Sequence, residues 1–318
     1  MQESKPDIKQ LINNYNNDFK KLSSGEFILD DYSKIMIETT NNCNFHCCTF
    51  CAHSQMQRKR GFINFKLYRK IVKEAAEFGF KNIEIRVMGE PLVDVNLEEK
   101  AKFAKDRDFE SIMINTNGEI LTKKRFEQLV LSGFNNINFS LTPKREFEKT
   151  RPGKSFDKIW QNLKDISTSL FKNIITVWVV VTEGTTQEEI QEFEANVRSL
   201  GYTDINYTPQ TRNLADINSG KANIIDTELH CFGLFKLFTV YWDGSVSLCP
   251  ADYENKIKLG NLNDNSLAEL INSENFKEIR RNHLDFNYLD ICKRCDNRLD
   301  TFYELYKDEY DLSEFDYP

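Results

Sequence analysis

No stretch of this 318-residue sequence is apolar for long enough to cross a bilayer. Its opening residues, Met1-Gln2-Glu3-Ser4-Lys5-Pro6-Asp7, lack the apolar segment of an export signal. These absences predict a cytoplasmic protein with no membrane partner. Excess positive charge is also missing. The 42 Lys and Arg stand against 49 Asp and Glu, a formal net charge of −7, which argues against the phosphate-binding footprint of a nucleic-acid partner. Histidine is scarce, and His46, His53, His230 and His283 show no metal-ligand spacing. Neither a Ser-His-Asp nor a paired-carboxylate signature is present. With apolar residues at 40%, the chain can bury one large core, or one barrel with a small appended domain.

Cysteine is what the sequence does have. Four of the eight fall in Glu38-Thr-Thr-Asn-Asn-Cys43-Asn-Phe-His-Cys47-Cys48-Thr-Phe-Cys51, directly after the apolar run Ile35-Met36-Ile37. Such crowding reads as disulfides, a zinc site or an iron–sulfur cluster. Disulfides fit poorly without an export signal. Zinc prefers separated cysteine pairs and a closed structural site. A loop offering three thiolates to one cluster fits better, and leaves one iron open for chemistry.

The rest of the chain alternates. An amphipathic helix spans residues 7–22, with apolar residues at Ile8, Leu11, Ile12, Tyr15, Phe19 and Leu22. Strands are predicted at Lys34–Ile37, Asn82–Val87, Ser111–Asn115, Asn136–Ser140, Ile174–Val181 and Thr203–Tyr207. Helices are predicted between them at 66–79, 97–107, 123–132, 156–170 and 187–200. The valine-rich fifth strand reads as buried on both faces. Strand–helix alternation implies a parallel sheet with right-handed crossovers, whose ligands sit at the carboxyl ends of the strands. After Pro209 the alternation stops at a polar connector, 210–226. Phe238–Cys249 then carries a hairpin signature around Asp243-Gly244. Short helices at 266–271 and 274–282 and an acidic tail complete the chain.

The cysteine loop resembles that of the radical S-adenosylmethionine (SAM) enzymes, whose usual form is C-x3-C-x-aromatic-C after the first barrel strand. Cys48-Thr49-Phe50-Cys51 matches the second half. Cys43 stands one residue further away than usual, and Cys47 occupies the standard offset. Adjacent side chains of an extended loop point apart, so Cys43, Cys48 and Cys51 are favoured as ligands, with Cys47 the alternative. The resemblance sharpens the α/β fold to a partial (β/α)6 barrel over residues 31–225, after an N-terminal helix in residues 1–30. It also assigns residues at strand ends. Met88-Gly89-Glu90-Pro91 is similar to the Gly-Gly-Glu-Pro that contacts the methionine amino group of SAM. Asn115-Thr116-Asn117-Gly118 is similar to the family's Thr-Asn-Gly, and Ser140 with Arg151 to the pair that holds the SAM carboxylate. Gly89, Glu90, Asn117, Ser140 and Arg151 are therefore expected to bind SAM. Read singly, each is a loop closing a strand, a turn dipeptide or a solvated surface charge; their order behind the cysteine loop argues otherwise.

Cys231, Cys249 (five residues after Gly244), Cys292 and Cys295 resemble the SPASM/twitch extension, here over residues 226–300, with a helix and acidic tail at 301–318. The resemblance implies a small α+β domain holding one auxiliary [4Fe-4S] cluster; a zinc ribbon is the alternative. Together the two resemblances imply a radical SAM oxidoreductase. An electron from flavodoxin or ferredoxin cleaves SAM, and the 5′-deoxyadenosyl radical abstracts hydrogen from a small hydroxylated molecule, a sugar or aminocyclitol. The auxiliary cluster then accepts the second electron, giving a ketone. A peptide-modifying maturase, or a redox-neutral epimerase or dehydratase, is the alternative. The thirty residues before the first strand leave no room for a leader-binding domain. A non-catalytic metal-binding module is the reading from another class. Tyr207, Gln210 and Arg212 are polar candidates for substrate contact.

Overall fold

The computed structural model describes residues 8–20, 24–182, 184–209, 213–214, 217–218, 228–293, 295, 297–298 and 302. Gln210 and Arg212, most of the connector and the acidic tail lie outside the described residues.

An eight-stranded sheet organises the chain. Strands β1 (Lys34–Ile37), β2 (Asn82–Ile85), β3 (Ser111–Thr116), β4 (Asn136–Ser140), β5 (Ile175–Val181) and β6 (Ile205–Pro209) pair in parallel in sequence order. Helices α2 (Phe65–Phe78), α3 (Leu97–Lys105), α4 (Lys123–Ser132), α6 (Phe156–Ile166) and α7 (Gln187–Ser199) connect them. The parallel α/β sheet predicted from alternation is therefore present, in the order that the barrel implied by the resemblance requires. Polar caps set the helix starts: Asn64, Thr122 and Ser155 accept a first-turn backbone N–H, and Thr186 closes a capping box with Glu189. A short pair, β7 (Asn213–Leu214) and β8 (Ile217–Asn218), comes after β6.

Alternation gives the sheet two unlike faces. Ile35, Ile37, Ile83, Ile85, Ile112, Ile114, Ile137, Phe139, Val177 and Val179 face the helices and join one apolar core. The other face, lining the barrel lumen, carries Met36, Glu84, Met113, Asn115, Asn138, Thr176 and Trp178. Met36 and Met113 are buried but stand apart from that core. The fifth strand is thus not buried on both faces: Trp178 and Val180 are half-buried on the lumen side.

Two features carry no clear signal in the sequence. Helix α5 (Lys144–Thr150) precedes α6; seven residues with the single apolar Phe147 give too short a period to recognise. Past the connector, α8 (Phe232–Lys236) leads into the expected hairpin of β9 (Leu237–Val240) and β10 (Val246–Ser247). That hairpin joins the barrel's own sheet, because β9 pairs in parallel with β1. The full strand order is β10-β9-β1-β2-β3-β4-β5-β6. Capped helices α9 (Leu267–Ile271) and α10 (Glu274–Leu284) and the short α11 (Asp290–Lys293) complete the region. Helix α1 (Ile8–Lys20) buries Leu11, Tyr15 and Phe19 and docks through Tyr15 Oη, 3.0 Å from His230 O. No helix among the described residues is long and apolar enough to cross a membrane.

Candidate active site

All eight cysteines carry reduced thiols, gathered in two groups. The first group comes after β1. Cys43 and Cys48 pack against the main core, and Cys51 against a satellite of Ala52, Met56, Val87, Met88 and Tyr253. Burial pushes the Cys43 and Cys48 thiols up to about 12, and raises Cys51. Charge on Cys48 or Cys51 raises Cys43 further, and Cys48 also feels Cys47. These buried thiols resist ionisation on their own, so metal binding is what would make them thiolates. The loop's backbone is pinned by other partners. Thr49 N donates to Thr150 O at 2.9 Å, and Phe45 N to the Cys43 sulfur at 3.3 Å.

The loops after β2 and β3 close on this segment. Gly89 has φ 86°, and a Cβ there would lie 2.6 Å from Asn42 O and 2.7 Å from Thr40 O. Only glycine lets the loop approach the cysteine segment so closely. Glu90 N donates to Asn42 O at 2.8 Å. The buried Glu90 carboxylate accepts from Thr116 Oγ1 (2.8 Å), Asn117 N (2.7 Å) and Leu92 N (3.0 Å), so it braces one loop against the other. Burial nevertheless raises it to about 7, outweighing these donors. The Asn117 amide donates to Asn44 Oδ1 at 2.8 Å, inside the cysteine loop.

Arg151 is 2% exposed, which excludes a solvated surface charge. Helix α5 delivers it back over the sheet. There Nη2 donates to Ser140 Oγ (3.2 Å) and Nη1 to Thr142 Oγ1 (3.0 Å), with the Phe50 and Phe147 rings on either hand. Burial lowers its pKa, opposed most strongly by negative charge on Cys48. The structure therefore brings Ser140 and Arg151 together beside the cysteines. Thr142, which ends Ser140-Leu141-Thr142 where relatives often have Asp and which has no role assigned from sequence, holds the same guanidinium.

The second group lies on the C-terminal segment. Cys249 feels Cys231 and Cys292, and Cys292 feels Cys231 and Cys295, so all four thiols converge. Burial pushes both Cys249 and Cys292 up. His283, not singled out as a site residue by sequence, accepts the Cys231 N–H at Nε2, 2.9 Å away, and is pushed down to about 3 by burial. Among the described residues, no three His, Cys, Asp or Glu groups converge tightly enough for a single ion.

A buried ion pair links the two cysteine regions. Glu38, at the end of β1, takes Arg58 Nη2 at 2.7 Å and Nη1 at 3.0 Å, and also accepts from Trp242 N at 3.4 Å. Arg58 lies 3.7 Å over the Tyr241 ring, and its Nε donates to Tyr253 O. A Cβ on Gly61 would lie 2.5 Å from the Trp242 ring. The segment after Cys51 is thereby seated on the hairpin that carries Cys249.

Tyr207 does not face the lumen: its hydroxyl donates to Glu194 on α7 at 2.8 Å. A cavity of ≈ 480 Å³ opens among α5, α6 and α7, lined by Lys144, Phe156, Trp160, Glu189 and Phe193. It is crossed by the Lys144–Asp157 and Arg145–Glu189 pairs and holds none of the residues above.

Two family models match the chain, the radical SAM superfamily over residues 37–195 and the SPASM iron–sulfur cluster-binding domain over residues 231–296. A GTP 3′,8-cyclase of Desulforamulus reducens is 27% identical over 179 residues, 52% of this chain and 53% of that protein. The chain thus spans about half the length of that relative. The tungsten-containing aldehyde ferredoxin oxidoreductase cofactor-modifying protein of Pyrococcus furiosus is 26% identical, over 81% of this chain and 88% of its own. Among solved structures, BtrN in complex with AdoMet and 2-DOIA aligns with a TM-score of 0.61 at 18% identity, over 85% of this chain and 95% of that one. Streptococcus suis SuiB bound to S-adenosylmethionine aligns with a TM-score of 0.63 at 17% identity, over 84% and 71%. At these identities the structural likeness is one of fold. The chain belongs to the radical SAM superfamily, with the [4Fe-4S] cluster and SAM that this membership implies, and carries a C-terminal SPASM iron–sulfur cluster-binding domain.

Proposed function

We propose that this enzyme oxidises a hydroxyl group of a small molecule such as a sugar or aminocyclitol to a ketone. The observation that carries the reading is the convergence of Cys231, Cys249, Cys292 and Cys295. Four protein thiolates complete the coordination of a cubane cluster and leave no iron for substrate, which suits electron transfer rather than ligand binding. When bound, the SAM-site cluster supplies the reductive cleavage of SAM that makes hydrogen abstraction possible, and the auxiliary cluster a destination for the substrate's second electron.

The protein's own part is holding and excluding. Cys43, Cys48 and Cys51 hold the first cluster in this reading, with Cys47 outside it. Ser140 and Arg151 receive the SAM carboxylate, a task suited to a guanidinium whose planar fork is already fixed by Thr142. Gly89 lets the loop after β2 reach the cysteine segment, while Glu90 and Asn117 keep it there. Flavodoxin or ferredoxin supplies electrons from outside.

Iron, sulfide and zinc counts on anaerobically reconstituted protein test the proposal. Wild type should hold about eight irons and the Cys43→Ala/Cys48→Ala/Cys51→Ala variant about four. About four irons with one zinc in the wild type would remove the electron acceptor and leave redox-neutral chemistry. Release of 5′-deoxyadenosine in the presence of polyols then reports turnover.

A further inference from the structure

The lumen face of the sheet is polar and unevenly charged. At its base, Lys34 Nζ lies 2.6 Å from Glu84 Oε1; one layer higher, Arg86 Nε lies 3.3 Å from Glu84 Oε2. Glu84 is 3% exposed and is shared between two cations, so the group carries one positive charge more than negative. Arg86 is the upper member, 30% exposed at its side chain, three residues before Gly89 and so at the carboxyl end of β2. Among the described residues its Nη1 and Nη2 have no hydrogen-bond partner. Of the carboxylates at this end of the sheet, Glu38 is taken up by Arg58, Glu90 by the loops after β2 and β3, Glu119 by Asn44, Lys154 and Lys158, and Glu146 by Thr182 and Lys149. Towards the far wall Asn138 Nδ2 donates to Asn115 Oδ1 at 2.9 Å, and beyond them the Asp204 carboxylate is taken up by Thr176 Oγ1.

We propose that Arg86 receives an oxyanion of the substrate, a carboxylate or a phosphoryl group, through its two free guanidinium nitrogens. This rests on the reading of the lumen as the site of a hydroxylated small molecule, and narrows that molecule to an acid or a phosphate ester. A guanidinium fork matches two oxygens of either group, and at 30% side-chain exposure Arg86 is partly withdrawn from water, which strengthens the attraction over that at an open surface. The Asn115–Asn138 pair retains one amide N–H2 and one carbonyl lone-pair set for hydroxyl groups, so that charge fixes one end of the substrate and amides the middle.

The test is anaerobic titration calorimetry on the SAM-loaded holoenzyme with matched probes: D-gluconate and D-glucose 6-phosphate as the anions, D-glucitol as the neutral polyol, D-glucosamine as the cation. At least one anion should bind more than about tenfold tighter than glucitol, the worth of a charge-assisted pair. Arg86→Gln should abolish that preference and Arg86→Lys should keep part of it, with melting temperature and SAM affinity unchanged. Which anion prefers Arg86 distinguishes the two sources. The inference is overturned if neither anion binds, if anion and polyol bind alike, if glucosamine binds best, or if Arg86→Gln weakens SAM instead. Release of 5′-deoxyadenosine separates this from the functional reading. Turnover of glucitol without dependence on Arg86 would keep the oxidase and sink the oxyanion site. Arg86-dependent anion binding, with no hydroxylated compound ever turned over, would do the reverse.

Discussion

Glu90 combines complete burial with three hydrogen-bond donors and a pKa raised to about 7 from an ordinary 4.5. A carboxyl group whose folded value lies above its free value stabilises the fold fully below pH 4.5, and loses that contribution as pH rises through 7. The Glu90 contribution should therefore fall by on the order of 3 kcal/mol between these limits, and Glu90→Gln should remove that component from the pH dependence of the apoprotein. The thiols of Cys43 and Cys48, near 12, stay protonated across the window and do not contribute. Chemical denaturation of both proteins at several pH values checks this; parallel slopes would refute it. Arg151 gives a second residue-level expectation. Arg151→Lys retains charge but loses the fork, so SAM affinity should fall by about tenfold or more with iron content unchanged, as read by calorimetry. A nearby strain has no such assignment. Val87 stands at φ 120°, which a β-branched residue adopts only under constraint, at the turn from β2 into the loop that carries Gly89 and Glu90. Val87→Gly should be tolerated or stabilising, by about 1 kcal/mol in thermal unfolding.

At the scale of elements, the decisive contact is Glu38 with Arg58, which ties the end of β1 to the segment after Cys51 and to the end of β9. Both partners are largely out of solvent, at 0% and 11% side-chain exposure, so removing one leaves an uncompensated charge. Glu38→Ala or Arg58→Ala should cost about 3–5 kcal/mol. The double variant should cost less than the sum, as a double-mutant cycle in urea would reveal. This scale also shows how far the sequence could be read. Strands and helices are legible from apolar alternation and caps, because each signal lies within a dozen residues. Ser140 and Arg151 are paired by resemblance, yet Thr142 is not. Its role depends on α5 turning the chain back, and α5 has only Phe147 to announce it. His283 is invisible for a similar reason: the N–H it accepts lies 52 residues away, at Cys231. Long-range partners leave no local period.

For the whole molecule, the parallel pairing of β9 with β1 matters most, because it covers what would otherwise be an open edge of the barrel sheet. A protein ending at residue 227 should keep the α/β alternation but expose Ile35 and Ile37 at an unpaired strand. It should self-associate or precipitate, where the full chain does not, as light scattering at matched concentrations would show. The same pairing sets a timetable for synthesis. Met36 and Thr239 meet across 203 residues of chain. At translation rates of about 5–20 residues per second, the first strand waits roughly 10–40 s for its neighbour to be made. Throughout that wait Glu38 has Arg58 but not the Trp242 N–H, and the cysteine loop has no hairpin to rest on. Metal delivered to the nascent chain would meet Cys43, Cys48 and Cys51 on an unsupported loop. If those three cysteines hold the first cluster, its lasting retention should follow closure of β9 on β1 rather than precede it.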